Sequence, residues 1–303
     1  MFVERHLAEL RRDHFAPAAW VRYVRSALAH ARERAIGNFA AVRSILFVGL
    51  VLFFGALAAA GGLAVVVDPD LARRAFGWTV VGLVPMIGLT LLHVDLVRDR
   101  AGTPLDALGW PSAITLTRVA LVPAFLIFAV EGRFRLAFAV FVVAIVSDVA
   151  DGWVARRFRQ ETLLGTILDP LADILCTFWL FFALWLGGLV PLVVCILAAL
   201  RMAMLLVGGA WLYLTHGSLH IHSTIPGKLT GLLVTGLVTA RLVFAAFDAG
   251  PIEARLLPLV FDALVVLLAF TVVSGWVTGW LNLRRLQKRR GPDPVVTDIR
   301  FGS

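Results

Sequence analysis

The sequence predicts an all-α integral membrane protein of about eight transmembrane helices, and three observations carry that expectation. First, 60% of its 303 residues are hydrophobic, only 16% are charged and the mean hydropathy is +0.88. An ordinary soluble domain is about 45–50% apolar and about 25% charged. Second, eight windows approach or exceed the roughly 20 apolar residues a helix needs to cross a bilayer. Third, no window alternates with a period of two, and a spanning segment must be a helix or part of a closed barrel. This composition excludes a soluble enzyme, a disordered chain and a disulfide-stapled secreted module. The formal charge of +8 does not call for nucleic acid, because basic residues gather at span ends and near anionic headgroups.

Residues 1–43 are too polar to span. The first 30 residues hold no apolar core, so no cleaved signal peptide is expected. Trp20, Val21, Tyr23, Val24, Ala27 and Leu28 alternate with Arg22, Arg25, Arg32 and Arg34, a pattern that suits an interfacial amphipathic helix or a solvated basic tail. Windows 44–67 and 76–94 form two leading spans. Residues 95–110, with Gly102, Pro104 and Gly109, read as a linker. Six further windows follow at 113–130, 136–150, 168–187, 189–214, 229–247 and 256–280. The expected organisation is a basic segment (1–43), two accessory spans with their linker (44–110), a six-helix unit (111–285) and a basic tail (286–303). With both termini inside, the inner segments collect twenty Lys and Arg and the outer loops five. That bias predicts cytoplasmic termini. The alanine- and arginine-rich usage points to a bacterial inner membrane. Cys176 and Cys195 lie in apolar runs with no His or second Cys at ligand spacing and read as buried hydrophobes. His216, His220 and His222 read as solvated loop residues rather than a metal site.

The chemistry concentrates at Asp148, Asp151, Asp169 and Asp173, at the ends of two consecutive spans. Spacings of three and four put each pair on one helical face. Charges at membrane depth cost several kcal/mol unless paired or hydrated. Four converging carboxylates call for cations between them, and oxygen ligands of this kind suit Mg²⁺ or Mn²⁺ with substrate phosphates. Two metals about 4 Å apart stabilise both attacking and leaving oxygens of a phosphoryl displacement. Gly152 and Ala155 clear space beside Asp151, Gly165 clears it before Asp169, and Arg156 offers a planar fork for phosphate.

The run Asp148-x2-Asp151-Gly152-x2-Ala155-Arg156-x8-Gly165-x3-Asp169-x3-Asp173 resembles the signature of CDP-alcohol phosphatidyltransferases at every fixed position. The resemblance extends over about 111–285, where Pro111-x3-Thr115-x2-Arg118 and Pro123 look like the family's entry to its first catalytic span. Ser112 stands where Asn is usual. The resemblance implies two divalent cations held by Asp148, Asp151 and Asp169, with Asp173 as general base that also touches metal. It implies CDP binding by Gly152, Ala155, Arg156 and Gly165, attack of an acceptor hydroxyl on the β-phosphorus of CDP-diacylglycerol, release of CMP, and a homodimer. An aspartate near its ordinary pKa of about 3.9 is a weak base, so metal coordination or desolvation must match it to the hydroxyl.

Arg118, Arg201 and Arg241 are the cations inside spans, and Gly227-Lys228 resembles the Gly-Lys pair of phosphatidylglycerophosphate-synthase-like members, although Ile174 replaces the Lys usual there. Arg118, Arg201 and Lys228 are candidate acceptor-binding residues, which makes glycerol 3-phosphate the first expectation. Inositol phosphate, serine, choline and phosphatidylglycerol follow. Arg241 reads as snorkelling. Three other readings stay open: transfer of a CDP-linked head group to a lipid alcohol, a cation transporter built on the aspartates, and aspartates that merely pair with Arg118, Arg156 and Arg201.

Overall fold

The computed structural model describes Glu9, Arg12, Asp13 and residues 16–99, 102–158, 162–208, 225–247 and 250–288. Those residues are helical almost throughout. α1 spans Pro17–Gly37, α2 Phe39–Val66, α3 Pro69–Leu92, α4 Trp110–Val130, α5 Phe134–Phe158 and α6 Leu163–Leu186. α7 covers Leu192–Ala203 and runs into a π-helical turn at Met204–Gly208, followed by α8 (Ile225–Phe247) and α9 (Pro251–Lys288). Each of the eight apolar windows falls on one of α2 to α9.

Among the described residues six helices are long and apolar enough to cross a membrane: Phe39–Val66, Pro69–Leu92, Trp110–Val130, Leu163–Leu186, Leu229–Phe247 and Arg255–Trp280. Leu192–Gly208 is a shorter apolar helix, and α5 carries charge at its C-terminal end. The chain is an integral membrane protein. Most of the spans' surface is left to lipid, as the exposure of Phe47, Phe54, Trp78, Val266 and Trp276 requires.

Local chemistry fixes where the helices begin. Asn38 caps α2 by accepting the Ala41 N–H at 3.2 Å. Asp68 caps α3, taking the N–H groups of Asp70 (2.7 Å) and Leu71 (3.3 Å), with Pro69 pre-set for the first turn. Thr162 caps α6 through the Gly165 N–H at 2.9 Å. These side chains satisfy donors that the first helical turn leaves open.

α4 is the central helix and packs along both α5 and α6, while α3 lies on its other side and α2 pairs with α3. The main core joins Phe125 and Phe128 of α4, Phe141 of α5, Phe181 of α6, Leu242 of α8 and Leu264 of α9. At the end of the bundle away from the aspartates, α6 terminates against α4. A Cβ on Gly187 would stand 2.5 Å from the Ala129 carbonyl oxygen, so this close approach admits only glycine.

One sequence expectation changes here, and one gains detail. Residues 95–99 and 102–110 of the linker are folded: a short 3-10 turn (Val94–Leu96) and an antiparallel bridge between Arg98 and Pro104 set them against α2, α4 and α6. Arg241 does not snorkel: it is buried, and its Nε donates to the Leu189 carbonyl at 2.8 Å. It thereby braces the turn between α6 and α7.

Candidate active site

The site lies where the C-terminal part of α5 and the N-terminal part of α6 meet the start of α4. Asp148 stands on α5, and Asp169 and Asp173 stand one helical turn apart on α6. Both α6 aspartates reach toward α4. The Thr115 hydroxyl donates to Asp169 Oδ1 at 2.9 Å and is also within 3.0 Å of the Pro111 carbonyl oxygen. Arg118, one turn further along α4, pairs with both Asp148 and Asp173, the latter at 3.0 Å between Nη2 and Oδ1. Its side chain is 7% exposed, against 56% for Asp148 and 61% for Asp173. A planar guanidinium suits this bridging role, because its fork can meet carboxylates from two helices at once.

Pro170 sits inside α6 between the two aspartates. Lacking an N–H, it cannot donate to the Thr166 carbonyl, so one rung of the helix ladder is absent beside Asp169. Gly165 lies one turn before Asp169. A Cβ built on it would stand 3.2 Å from Thr162 Oγ1, 3.4 Å from Ser112 Oγ and 3.8 Å from Asp169 Oδ2. Gly165 therefore floors a small cradle bounded by oxygen atoms.

A cavity of about 480 Å³ opens between α4, α5, α6, α7 and α8. Arg118, Asp148, Asp173 and Arg201 supply its charged lining, and Phe125, Phe141 and Phe181 are among the many apolar side chains lining the rest. Such a cavity, mostly apolar with a few charged groups, is the usual form of a small-molecule site. Arg201 stands in the last turn of α7. Among the described residues no carboxylate pairs with it.

The structure thus brings together Asp148, Asp169, Asp173, Arg118 and Gly165, and sets Arg201 on the same cavity wall. Arg118 is a partner of two aspartates and also lines the cavity. The backbone of α5 carries Asp151, Gly152, Ala155 and Arg156, but their side chains lie outside the described residues, as does that of Lys228. His216, His220 and His222 lie outside them too. Sequence reasoning gave no role to Thr162 or to the hydroxyls of Thr115 and Ser112. Thr162 carries a legible signal, a helix-capping residue three positions before Gly165.

The oxygen-only donors around Asp169 fit a hard divalent cation. Among the described residues no three His, Cys, Asp or Glu side chains already converge on one point. Asp148 and Asp173 each meet Arg118 through Oδ1, which leaves each carboxylate a second oxygen.

The sequence profile described as CDP-alcohol phosphatidyltransferase matches residues 108–283, more than half of the chain. Among similar proteins, the CDP-diacylglycerol--glycerol-3-phosphate 3-phosphatidyltransferase of Bacillus subtilis is 32% identical over 182 residues, covering 55% of this chain and 91% of that protein. The protein of the same name from Aquifex aeolicus is 26% identical over 170 residues, again covering 55% and 91%. Human cardiolipin synthase (CMP-forming) is 35% identical over 82 residues, and the match spans 27% of each chain.

Proposed function

Because the chain belongs to the CDP-alcohol phosphatidyltransferase family, we propose that it transfers a phosphatidyl group from CDP-diacylglycerol to a small alcohol, releasing CMP in phospholipid biosynthesis. Glycerol 3-phosphate is the leading acceptor. The observation that carries this reading is the meeting of Asp148 and Asp173 with Arg118, and of Asp169 with Thr115, beside a largely apolar cavity within the matched residues. The names of the Bacillus and Aquifex relatives, each covered over 91% of its length, support the choice of acceptor.

Each residue then has a task. Gly152, Ala155 and Gly165 leave room for CDP, and the Arg156 guanidinium meets its diphosphate. Arg201 and Lys228 attract the acceptor phosphate; the cavity-wall position of Arg201, without a described carboxylate partner, supports this. Asp173 takes the acceptor hydroxyl proton as that oxygen bonds to the β-phosphorus. The bond from the β-phosphorus to the CMP oxygen breaks, and CMP departs with the electron pair. Arg118 orients Asp148 and Asp173 between the helices. Two divalent cations, Mg²⁺ or Mn²⁺, held by Asp148, Asp151, Asp169 and Asp173, supply charge neutralisation and an acidified hydroxyl when bound. The bias of twenty inner against five outer cations supports an aspartate end that faces the cytoplasm of a bacterial inner membrane.

A second acceptor class is favoured by one feature, the apolar wall of the cavity. A lipid acceptor such as phosphatidylglycerol would use it, and the cardiolipin synthase name of another relative points the same way. The test is CMP release by the purified protein from CDP-diacylglycerol with Mg²⁺ or Mn²⁺. Glycerol 3-phosphate, phosphatidylglycerol and plain alcohols are supplied in turn. Release with glycerol 3-phosphate alone supports the first reading, release with phosphatidylglycerol alone supports the second, and no release with any acceptor overturns both.

A further inference from the structure

Most of the segment folded against the start of α6 lies outside the family-matched residues 108–283. Its backbone reaches the catalytic unit directly, since the Leu163 N–H donates to the Arg98 carbonyl at 3.0 Å. Leu163 is the first residue of α6, and its N–H would otherwise have no partner within the helix. Bonds within the segment hold its shape. Leu105 N–H donates to the Val97 carbonyl at 3.0 Å, Asp99 N–H to the Thr103 carbonyl at 3.0 Å, and Thr103 N–H to Asp99 Oδ1 at 2.8 Å. Two side chains tie it to α2: Asn38 Nδ2 donates to the Leu105 carbonyl at 3.1 Å, and Ser44 Oγ accepts the Leu108 N–H at 3.0 Å.

Packing follows the same route. Leu164 and Leu168 of α6 are buried in a second, separate core with Ala41, Ile45, Val94, Val97 and Leu108; Ala41, Ile45 and Val97 are wholly enclosed. Successive helical residues turn by about 100°. Gly165 and Asp169, each one position after a pinned leucine, therefore face the adjoining side, where Ser112 and Thr115 stand. A rotation of α6 that carried Asp169 away from Thr115 would pull Leu164 and Leu168 out of this core. That loss opposes the rotation.

We infer that residues 93–99 and 102–108 and the first turns of α2 form a collar that sets the rotation of α6, and that Ile45, Val97 and Ser44 are positioning residues for Asp169. The collar acts on the site through Leu164 and Leu168. The kinetic part of the inference rests on the proposed function. The structural part does not.

The test uses the full chain carrying Ile45→Ala, Val97→Ala or Ser44→Ala, with Ile45→Val and Val97→Ile as conservative partners. Ser44→Ala removes a single hydroxyl and keeps the test open if a core truncation does not fold. The first readout is hydrogen exchange at the amides of residues 163–168. The collar predicts exchange about tenfold faster there in the alanine variants, and restored protection in the conservative ones. The second is CMP release from CDP-diacylglycerol with Mg²⁺. The collar predicts a several-fold lower kcat, a higher Mg²⁺ concentration for half-maximal rate and an acceptor KM within twofold of wild type. A lowered melting temperature with exchange at 163–168 and both kinetic constants unchanged overturns the inference. If the wild type releases no CMP, the proposed function fails, and the exchange measurement alone decides whether the collar stands.

Discussion

Thr115 and Asp169 are joined across 54 residues of sequence by one hydroxyl–carboxylate hydrogen bond of 2.9 Å. It locks the entry of α4 to the first aspartate of α6. A hydrogen bond to a charged group contributes about 1.5–3 kcal/mol, so if that orientation matters in the transition state, its loss costs roughly tenfold or more in rate. Thr115→Val keeps the side-chain shape and removes the donor. The expected result is a kcat for CMP release at least tenfold lower in the Val variant and recovered in Thr115→Ser.

Arg118 pairs with Asp148 and Asp173 from within α4, one positive charge against two carboxylates. Breaking a fully buried pair costs about 3–5 kcal/mol, but both carboxylates here are more than half exposed. A smaller stability loss of about 1–2 kcal/mol is expected for Arg118→Ala. Arg118→Lys keeps the charge and loses the fork that spans two helices. It should keep most of the stability while losing most of the turnover. Thermal unfolding beside CMP-release kinetics separates the two effects.

Gly165→Ala opposes two effects in one methyl group. Alanine improves intrinsic helix propensity by about 1 kcal/mol, whereas its Cβ would press on Thr162 Oγ1 at 3.2 Å and Ser112 Oγ at 3.4 Å. Melting temperature should stay near that of wild type. The cradle over Gly165 would be filled, and the KM for CDP-diacylglycerol should rise several-fold.

Outside the spans, Asp68 provides a pH-dependent test. The N–H groups of Asp70 and Leu71 that it caps hold its carboxyl below the ordinary carboxylate pKa. A depressed folded-state pKa contributes stability above the unfolded value, near 3.9, and loses it as pH falls through the folded one. Asp68→Ala should therefore lower the melting temperature at pH 7, and the difference from wild type should shrink as the pH drops below about 4.

The helices were legible because lipid imposes one simple rule, a long apolar run, which six helices among the described residues meet in full. The aspartate pairs were legible because a spacing of three or four fixes a shared helical face before any tertiary contact forms. Arg118 was visible as a buried cation and as one possible partner of the aspartates. Its reach to Asp148 and Asp173 depends on how α4, α5 and α6 pack, which no local period records. Arg241 shows the same limit: its acceptor is a turn carbonyl 52 residues away. The collar escaped because Val94, Val97 and Leu108 are scattered apolar residues in a segment rich in turn formers. Their common burial against Leu164 and Leu168 exists only once α2 and α6 are side by side.

In the proposed function the aspartate cluster performs a CMP-releasing transfer. Its most direct test is a single-turnover assay of CMP release from CDP-diacylglycerol and glycerol 3-phosphate with Mg²⁺, for the wild type beside Asp169→Asn and Asp173→Asn. The account predicts release by the wild type and none by either variant, with donor binding kept in Asp173→Asn and lost in Asp169→Asn. Full release by Asp169→Asn would contradict it.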